Sequence, residues 1–435
     1  MEQMPVLGKY QPYPEYKDSG VEWLGAVPTH WNVHGGKRIF SQRREPAFQN
    51  DVQLAASQAY GVVPQSLLME MTGNKVMLAL KGTDSFKHVS AHDFVISLRS
   101  FEGGIEHSSY TGCVSPAYTV LNAVKIVAPW FYRYLLKSSP YISALQASTD
   151  SLRDGKSITY EQFGAILLPL PALEEQRTIA AFLDYETARI DKLIAQQQRL
   201  IELLKEKRQA VISHCVSIKA AEGHVKLSYA VNLITGFPFL STGFRHEPGD
   251  NIPLLRGINV GVDQIKWDEV VYWASDDCEH LKEYFLKSGD IVFGMDRPWI
   301  SSGARVAEIT SNDTPCLLLQ RVARIRTTDS FYQPFIRLCL SSNEFRAYVE
   351  ADLTGVSVPH ISPDQIKSFY IRNISLEEQR VITDRILAKI EKLNAIEKTA
   401  FYAIELMQER RTALISAAVT GKIDLRGWTA PTQGQ

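Results

Sequence analysis

A chain of 435 residues with 45% apolar and 22% charged residues has the make-up of a soluble globular protein of two or three domains. Its net charge of −1 supplies no bulk attraction for nucleic acid, so a DNA contact would need local basic clusters or shared neutralisation by partners. No apolar run is long enough to span a bilayer, residues 1–20 lack a signal-peptide core, and the five scattered cysteines contain no C-x-x-C pair, which together predict reduced thiols and a cytoplasmic location.

Four segments follow in chain order, with a short tail. Residues 1–172 mix short strand-like runs (Phe94-Val95-Ile96, Tyr118-Thr119-Val120-Leu121, Lys125-Ile126-Val127-Ala128) with a helix expected over 130–145. A basic cluster, His34, Lys37, Arg38, Arg43 and Arg44, lies near its start. Residues 173–219 contain neither Gly nor Pro. Ile190, Leu193, Ile194, Leu200, Ile201, Leu204 and Val211 recur there at 3–4 spacing, predicting a long amphipathic helix of coiled-coil type, about 65 Å at roughly 1.5 Å per residue.

Residues 220–375 resemble the first segment. They hold strand-like Ile252-Pro253-Leu254-Leu255, Asp290-Ile291-Val292-Phe293 and Val322-Ala323-Arg324-Ile325, a helix expected over 333–349, and a second basic cluster of Arg321, Arg324 and Arg326. Residues 376–420 form a second long helix, with Ile382, Ile386, Ile390, Leu393, Ile396, Ile404, Met407 and Leu414 on its apolar side and Gly421 as the stop signal. Residues 421–435 are a tail.

The segments are two copies of one plan. Leu173-Glu174-Glu175-Gln176-Arg177 returns as Leu376-Glu377-Glu378-Gln379-Arg380, an offset of 376 − 173 = 203 residues. The same offset aligns Ile158-Thr159-Tyr160-Glu161-Gln162-Phe163 with Ile361-Ser362-Pro363-Asp364-Gln365-Ile366, and Glu206-Lys207-Arg208 with Glu409-Arg410-Arg411. A helix several times the usual length of about 11–12 residues, with a single apolar stripe, needs a partner, and its own copy is the obvious one. The expected fold is α/β (α+β): two similar globular domains and two long helices related by a pseudo-two-fold repeat.

Catalytic signatures are missing. There is no G-x-G-x-x-G after a strand, no Asn-Pro-Pro-aromatic or Asp-Pro-Pro-aromatic tetrapeptide, no H-E-x-x-H and no G-x-S-x-G. Gly155-Lys156-Ser157 imitates the end of a P-loop, but position 150 is Asp where the motif needs Gly. Asp154-Gly155-Lys156 is only the D-x-K half of a nuclease site. The chain reads as a binding protein with no metal and no cofactor of its own.

The order domain, LEEQR-led helix, domain, LEEQR-led helix resembles the specificity (S) subunit of type I restriction–modification enzymes. So do the opening, Tyr16-Lys17-Asp18-Ser19-Gly20-Val21-Glu22-Trp23-Leu24-Gly25 with Val27-Pro28-Thr29-His30-Trp31, and the close, Leu414-Ile415-Ser416-Ala417-Ala418-Val419-Thr420-Gly421-Lys422-Ile423-Asp424-Leu425-Arg426. The resemblance covers essentially the whole chain. It implies that residues 1–172 and 220–375 are target-recognition domains, each reading one half of a bipartite duplex DNA sequence. It also implies an antiparallel helical spacer that docks two methyltransferase subunits, with translocase–nuclease subunits added, and S-adenosylmethionine and ATP bound on those partners. A rigid rod would fix the spacing between half-sites, which present matching faces roughly 34–36 Å apart per turn of duplex. The interiors, roughly 32–150 and 225–350, match no fixed pattern of the family.

Arg, Asn and Ser in loops after strands are the expected DNA readers. These are Arg43, Arg44, Arg99, Ser108 and Ser109 in the first half, and Arg256, Asn259, Arg297, Ser301, Ser302 and Arg305 in the second. The Arg297-Pro298-Trp299 and Ser301-Ser302-Gly303 run reads as a polar loop suited to a groove. Glu174, Glu175, Gln176 and Arg177, with Glu377, Glu378, Gln379 and Arg380, are expected either to dock partners or to serve the positive helix N-terminus. The competing readings are a self-contained DNA-modifying enzyme and a coiled-coil scaffold that never meets DNA.

Overall fold

The computed structural model describes residues 10–73, 85–148, 158–219, 223–352 and 360–431. The Asp154-Gly155-Lys156-Ser157 stretch lies outside them. The chain divides into two compact units: Met1–Gln196 with Ala403–Gln435, and Gln197–Tyr402. The strands that matter are β1 (Phe40–Arg43), β2 (Phe94–Ile96), β3 (Glu106–His107), β4 (Thr119–Ala123), β5 (Val231–Thr235), β6 (Ile291–Gly294), β7 (Val306–Glu308) and β8 (Val322–Thr327). The helices are α1 (Pro129–Leu135), α2 (Leu173–Val216), α3 (Gln333–Leu340) and α4 (Leu376–Val419).

The first unit is built on an antiparallel sheet of order β1-β4-β2-β3. Under it Phe40 meets Phe94, Tyr132 and Phe163 edge-on at 5.1–6.1 Å, an arrangement that adds to the gain from burying their area. Ile179, Phe182 and Leu183 of α2 and Leu414, Ala417, Ala418 and Val419 of α4 close the same core, and Ile423 and Leu425 complete it. The second unit repeats the plan. Its antiparallel sheet has order β5-β8-β6-β7, over a core of Phe293, Phe335 and Phe345 closed by Ile212 and Val216 of α2 and Ile386 of α4.

The sequence repeat has local causes. Thr159 with Gln162, and Ser362 with Gln365, form identical capping boxes at an offset of 203, each starting a short helix that leads into the strand before a long helix. Those strands, Leu167–Leu170 and Tyr370–Arg372, pair with Asn32–Gly35 and His224–Lys226. Both long helices run for 44 residues, about 66 Å.

In the first unit the N-terminal part of α2 packs antiparallel to the C-terminal part of α4: Phe182 meets Trp428 beyond the end of α4, and Asp191 accepts from Arg411 at 2.9 Å. In the second unit Arg208 of α2 bonds Glu397 of α4 at 2.5 Å, while Ile212 and Val216 share a core with Ile382, Ile386 and Ile390. Gly421 ends α4 at φ +70, and the Lys422 amide caps back to the Ala417 carbonyl at 2.8 Å.

Three local expectations differ from what forms. The helix expected over 130–145 is two, α1 and Ser139–Ala147, because the Ser138 hydroxyl caps the Leu135 carbonyl at 2.8 Å and Pro140 opens the second. The helix expected over 333–349 likewise breaks at Ser341 and Ser342, whose hydroxyls bond the Arg337 and Cys339 carbonyls, before Asn343–Asp352 resumes. Lys125 to Ala128 is not a strand. It is the approach to Pro129, with the Ile126 side chain 85% exposed.

Candidate nucleic-acid interface

Strand register decides which loops share a surface. In the first unit Arg43 pairs with Val120 and Ile96 with Thr119, so the chain after β1 and after β2 leaves the same end of the sheet. In the second unit Thr235 pairs with Ala323, Gly294 with Val322 and Phe293 with Val306. The chain after β5 and β6 and before β7 and β8 therefore leaves the corresponding end. At this rim the two units differ. The β2–β3 loop folds as a one-turn helix, Ser100–Gly103, with Arg99 at its start. The β6–β7 loop instead makes a tight hairpin: Trp299 pairs with Ala304 and Ile300 with Gly303, leaving Ser301 and Ser302 as its exposed two-residue tip.

The expected readers fall into two groups. Arg44, Arg99, Arg297, Ser301 and Ser302 are exposed at these rims. Arg99 pairs with Glu102 at 2.7 Å, and the Arg44 guanidinium lies 3.5 Å from the Gln42 carboxamide oxygen. Arg297 is exposed and holds φ +45. Ser109 is exposed too, but it leaves the opposite end of the first sheet.

The remaining candidates are engaged in the fold. Arg43 donates to Asp93 and Glu45 at 2.8 and 2.9 Å. Ser108 is fully buried and its hydroxyl donates to the Tyr110 carbonyl. Asn259 is buried, accepting from the Arg256 amide and donating to the Lys266 and Glu269 carbonyls, and Arg256 also donates to Glu269. Arg305 clamps the Val260, Asp296 and Gly257 carbonyls, and burial lowers its pKa. Its side chain ties the rim loop down.

The two helix starts resolve into one shared device and one divergence. Gln176 is buried; its oxygen accepts from the Ala128 amide at 2.9 Å, at the start of α1, and its nitrogen donates to the Pro171 carbonyl. Gln379 does the same at the start of α3. It accepts from the Tyr332 amide at 2.8 Å and donates to the Ser330 and Ile374 carbonyls. Each long helix is thus stapled to its own domain by one carboxamide.

The neighbouring Glu behaves differently in each copy. Ser375 caps α4 and gives Glu378 two hydrogen bonds, which hold its carboxyl below the usual range. The equivalent of Ser375 is Ala172, which has no hydroxyl, and Glu175 is free to turn inward. It accepts from the Tyr13 hydroxyl at 2.6 Å and lies 2.9 Å from His30, while burial and this carboxylate push the Tyr13 hydroxyl pKa up. Glu174 and Arg177 pair with each other on the surface, Glu377 is exposed, and Arg380 lies over the Tyr332 ring at 5.2 Å.

No protein-family model matches the chain. The type I restriction enzyme MjaVIII specificity subunit of Methanocaldococcus jannaschii is 28% identical over 313 residues, covering 68% of this chain and 70% of its own. Other type I specificity subunits, from Escherichia coli and Salmonella potsdam, align at 23–29% identity. A chain from a structure of the type I R-M system, solved for its complex assembly and conformational transition, superposes with TM-score 0.70 at 17% identity, over 90% of this chain and 98% of that one. The HsdS subunit from Thermoanaerobacter tengcongensis has the same fold, with TM-score 0.55 at 18% identity over 91% and 98%. The chain is thus similar over most of its length to type I restriction enzyme specificity subunits, and it shares the fold of the solved HsdS subunit.

A groove of about 650 Å³ runs along the first unit, lined by Tyr60, Ser109, Tyr110, Arg133, Asp184 and Arg411 among others. Its cations are matched internally: Arg133 with Asp184, Lys137 with Glu106, Arg411 with Asp191. Burial raises the Glu106 pKa while Lys137 draws it back, and burial drives the His107 pKa down to about 3, so its ring is neutral. Sequence reasoning missed Gln58, Tyr60 and Tyr110, since nothing local in the chain shows that they border one groove. Among the described residues no group of His, Cys, Asp and Glu could hold a metal ion, and no helix is long and apolar enough to cross a membrane.

Proposed function

We propose that this chain is a specificity subunit that gives a type I restriction–modification complex its DNA sequence, each globular domain reading one half of an asymmetric bipartite duplex target. The observation that carries the reading is the contrast within the repeat. The capping boxes and Gln staples are the same in both copies, whereas the loops at the equivalent sheet ends differ in length and form. A protein that reads two different words on one duplex needs this division into constant frame and variable rim. The helical pair fixes the spacer and docks two methyltransferase subunits, to which translocase–nuclease subunits add. S-adenosylmethionine and ATP then belong to those partners, and the chain itself performs no catalysis.

The test is genome-wide mapping of methylated adenines with and without the gene. Loss of methylation at a single bipartite motif is expected; an unchanged methylome refutes the reading. Replacing residues 225–350 with those of a related subunit should change one half of the motif only.

A further inference from the structure

The rim of the second unit brings together two arginines that are 24 positions apart in sequence (321 − 297 = 24). The Met295 amide bonds the Arg321 carbonyl at 3.0 Å, which places the β6–β7 loop against the turn before β8. Both arginines hold left-handed backbone, Arg297 at φ +45 and Arg321 at φ +67. Such a conformation is strained for a non-glycine residue, and residues held there cluster at functional sites. Asp296 sits between them, accepting from Arg321 at 3.0 Å and bonded to His360 at 2.7 Å. These bonds outweigh burial and keep its carboxyl below the usual range. The Arg321 side chain is 60% exposed despite the pair. Counting the Arg297, Arg305 and Arg321 guanidiniums against the Asp296 carboxylate, these four side chains carry 3 − 1 = +2 in a chain whose net charge is −1. Beside it the hairpin is anchored by half-buried Trp299, which lies under Arg346 at 5.8 Å, and projects Ile300, Ser301 and Ser302 into solvent.

We propose that Arg297 and Arg321 form a phosphate clamp of the second domain, gripping the duplex backbone so that the hairpin tip enters a groove and Ser301 and Ser302 meet base edges. This rests on the reading that the second domain contacts DNA, and adds which side chains hold the backbone and which read it. Guanidiniums suit phosphate because they present several donors in a fixed fork. Serine hydroxyls donate and accept, so they can read a base edge. Asp296 is a positioning residue: it orients Arg321 and fixes the loop through His360.

The experiment uses the complex of this chain with its methyltransferase subunits, and duplexes carrying the motif found for the unaltered protein. Affinity is measured from 50 to 200 mM salt. Arg297→Ala and Arg321→Ala should each lower the salt slope by about 1, so that each loses roughly 3.5-fold less affinity than wild type across that range, with the methylated sequence unchanged. Arg321→Lys should keep the slope. Ser301→Ala with Ser302→Ala should keep the slope and relax one half of the motif. Thermal melting of each variant separates these effects from misfolding. An unchanged slope in both arginine variants overturns the proposal, as does loss of methyltransferase assembly, which would place this rim in a protein interface. If the unaltered complex has no bipartite motif at all, it is the functional reading above that fails.

Discussion

Gln379→Ala probes the helix staple most directly. The Gln379 carboxamide is fully buried and makes three hydrogen bonds, to the Tyr332 amide and the Ser330 and Ile374 carbonyls. Truncation strands those groups and leaves a small void. A buried backbone group without a partner costs about 1–3 kcal/mol; taking the lower end for each, because water can enter at a helix start, gives a loss of about 3 kcal/mol. Gln176→Ala removes two bonds, to the Ala128 amide and the Pro171 carbonyl, and should cost about 2 kcal/mol. Urea unfolding gives the global loss, and hydrogen exchange at the Tyr332 amide gives the local one, with about 1.4 kcal/mol corresponding to ten-fold faster exchange. Gln379→Glu separates geometry from volume: the carboxylate keeps the acceptor for Tyr332 but turns lone pairs toward two carbonyls, so it should be as damaging as Ala near neutral pH. A loss below about 0.5 kcal/mol in both alanine variants, with exchange at Tyr332 unchanged, would show that the carboxamides are spectators and refute the account of the repeat.

Other consequences are open to measurement. His107 has its pKa driven down to about 3 in the fold, against an ordinary value near 6.5, so folding favours the neutral ring. A depressed folded-state pKa contributes stability above about pH 6.5 that is lost as pH falls toward 3. The first unit should weaken by up to about 1.4 kcal/mol per pH unit in that window, and His107→Gln should flatten the profile in denaturant titrations. Gly421→Ala should cost about 1–2 kcal/mol from the positive φ alone, and more because the added carbon would lie 2.5 Å from Pro28; a melting temperature within a degree of wild type would contradict this. Glu397→Gln should cost about 1 kcal/mol or less, since the Arg208–Glu397 bond is only partly shielded, and a double-mutant cycle with Arg208→Gln measures the coupling.

The frame was legible in the sequence because its causes are local and occur twice. Capping boxes, a helix without Gly or Pro, an apolar stripe and a glycine stop each announce themselves within a few residues. The rims were legible only in part. Arg99, Arg297, Ser301 and Ser302 could be picked from composition and loop position, but Arg43, Asn259 and Arg305 look the same in one dimension. Only the fold shows that their donors are taken up by Asp93 and by backbone carbonyls. Arg321 was visible merely as part of a basic cluster, because its nearness to Arg297 depends on the pairing of β6 with β8. The role of Gln176 and Gln379 was hidden for the same reason. A repeated Gln marks a repeated need, but not that the need is a backbone amide 47 or 48 residues upstream.

The core of the first unit has a bearing on how the molecule is made. Ile423 and Leu425 are buried in it, the Asp424 amide bonds the Gln11 carbonyl at 2.8 Å, and the Lys422 ammonium reaches the Leu24 and Ala26 carbonyls. The second unit is drawn from one uninterrupted stretch, 197–402, whereas the first waits for residues beyond 403. On the ribosome the domain synthesised earliest is therefore the one finished last, and the Phe182 surface that Trp428 covers stays open until then. A chain that stops within α4 would leave the first domain unsealed, so a complete first domain certifies that translation has reached the tail.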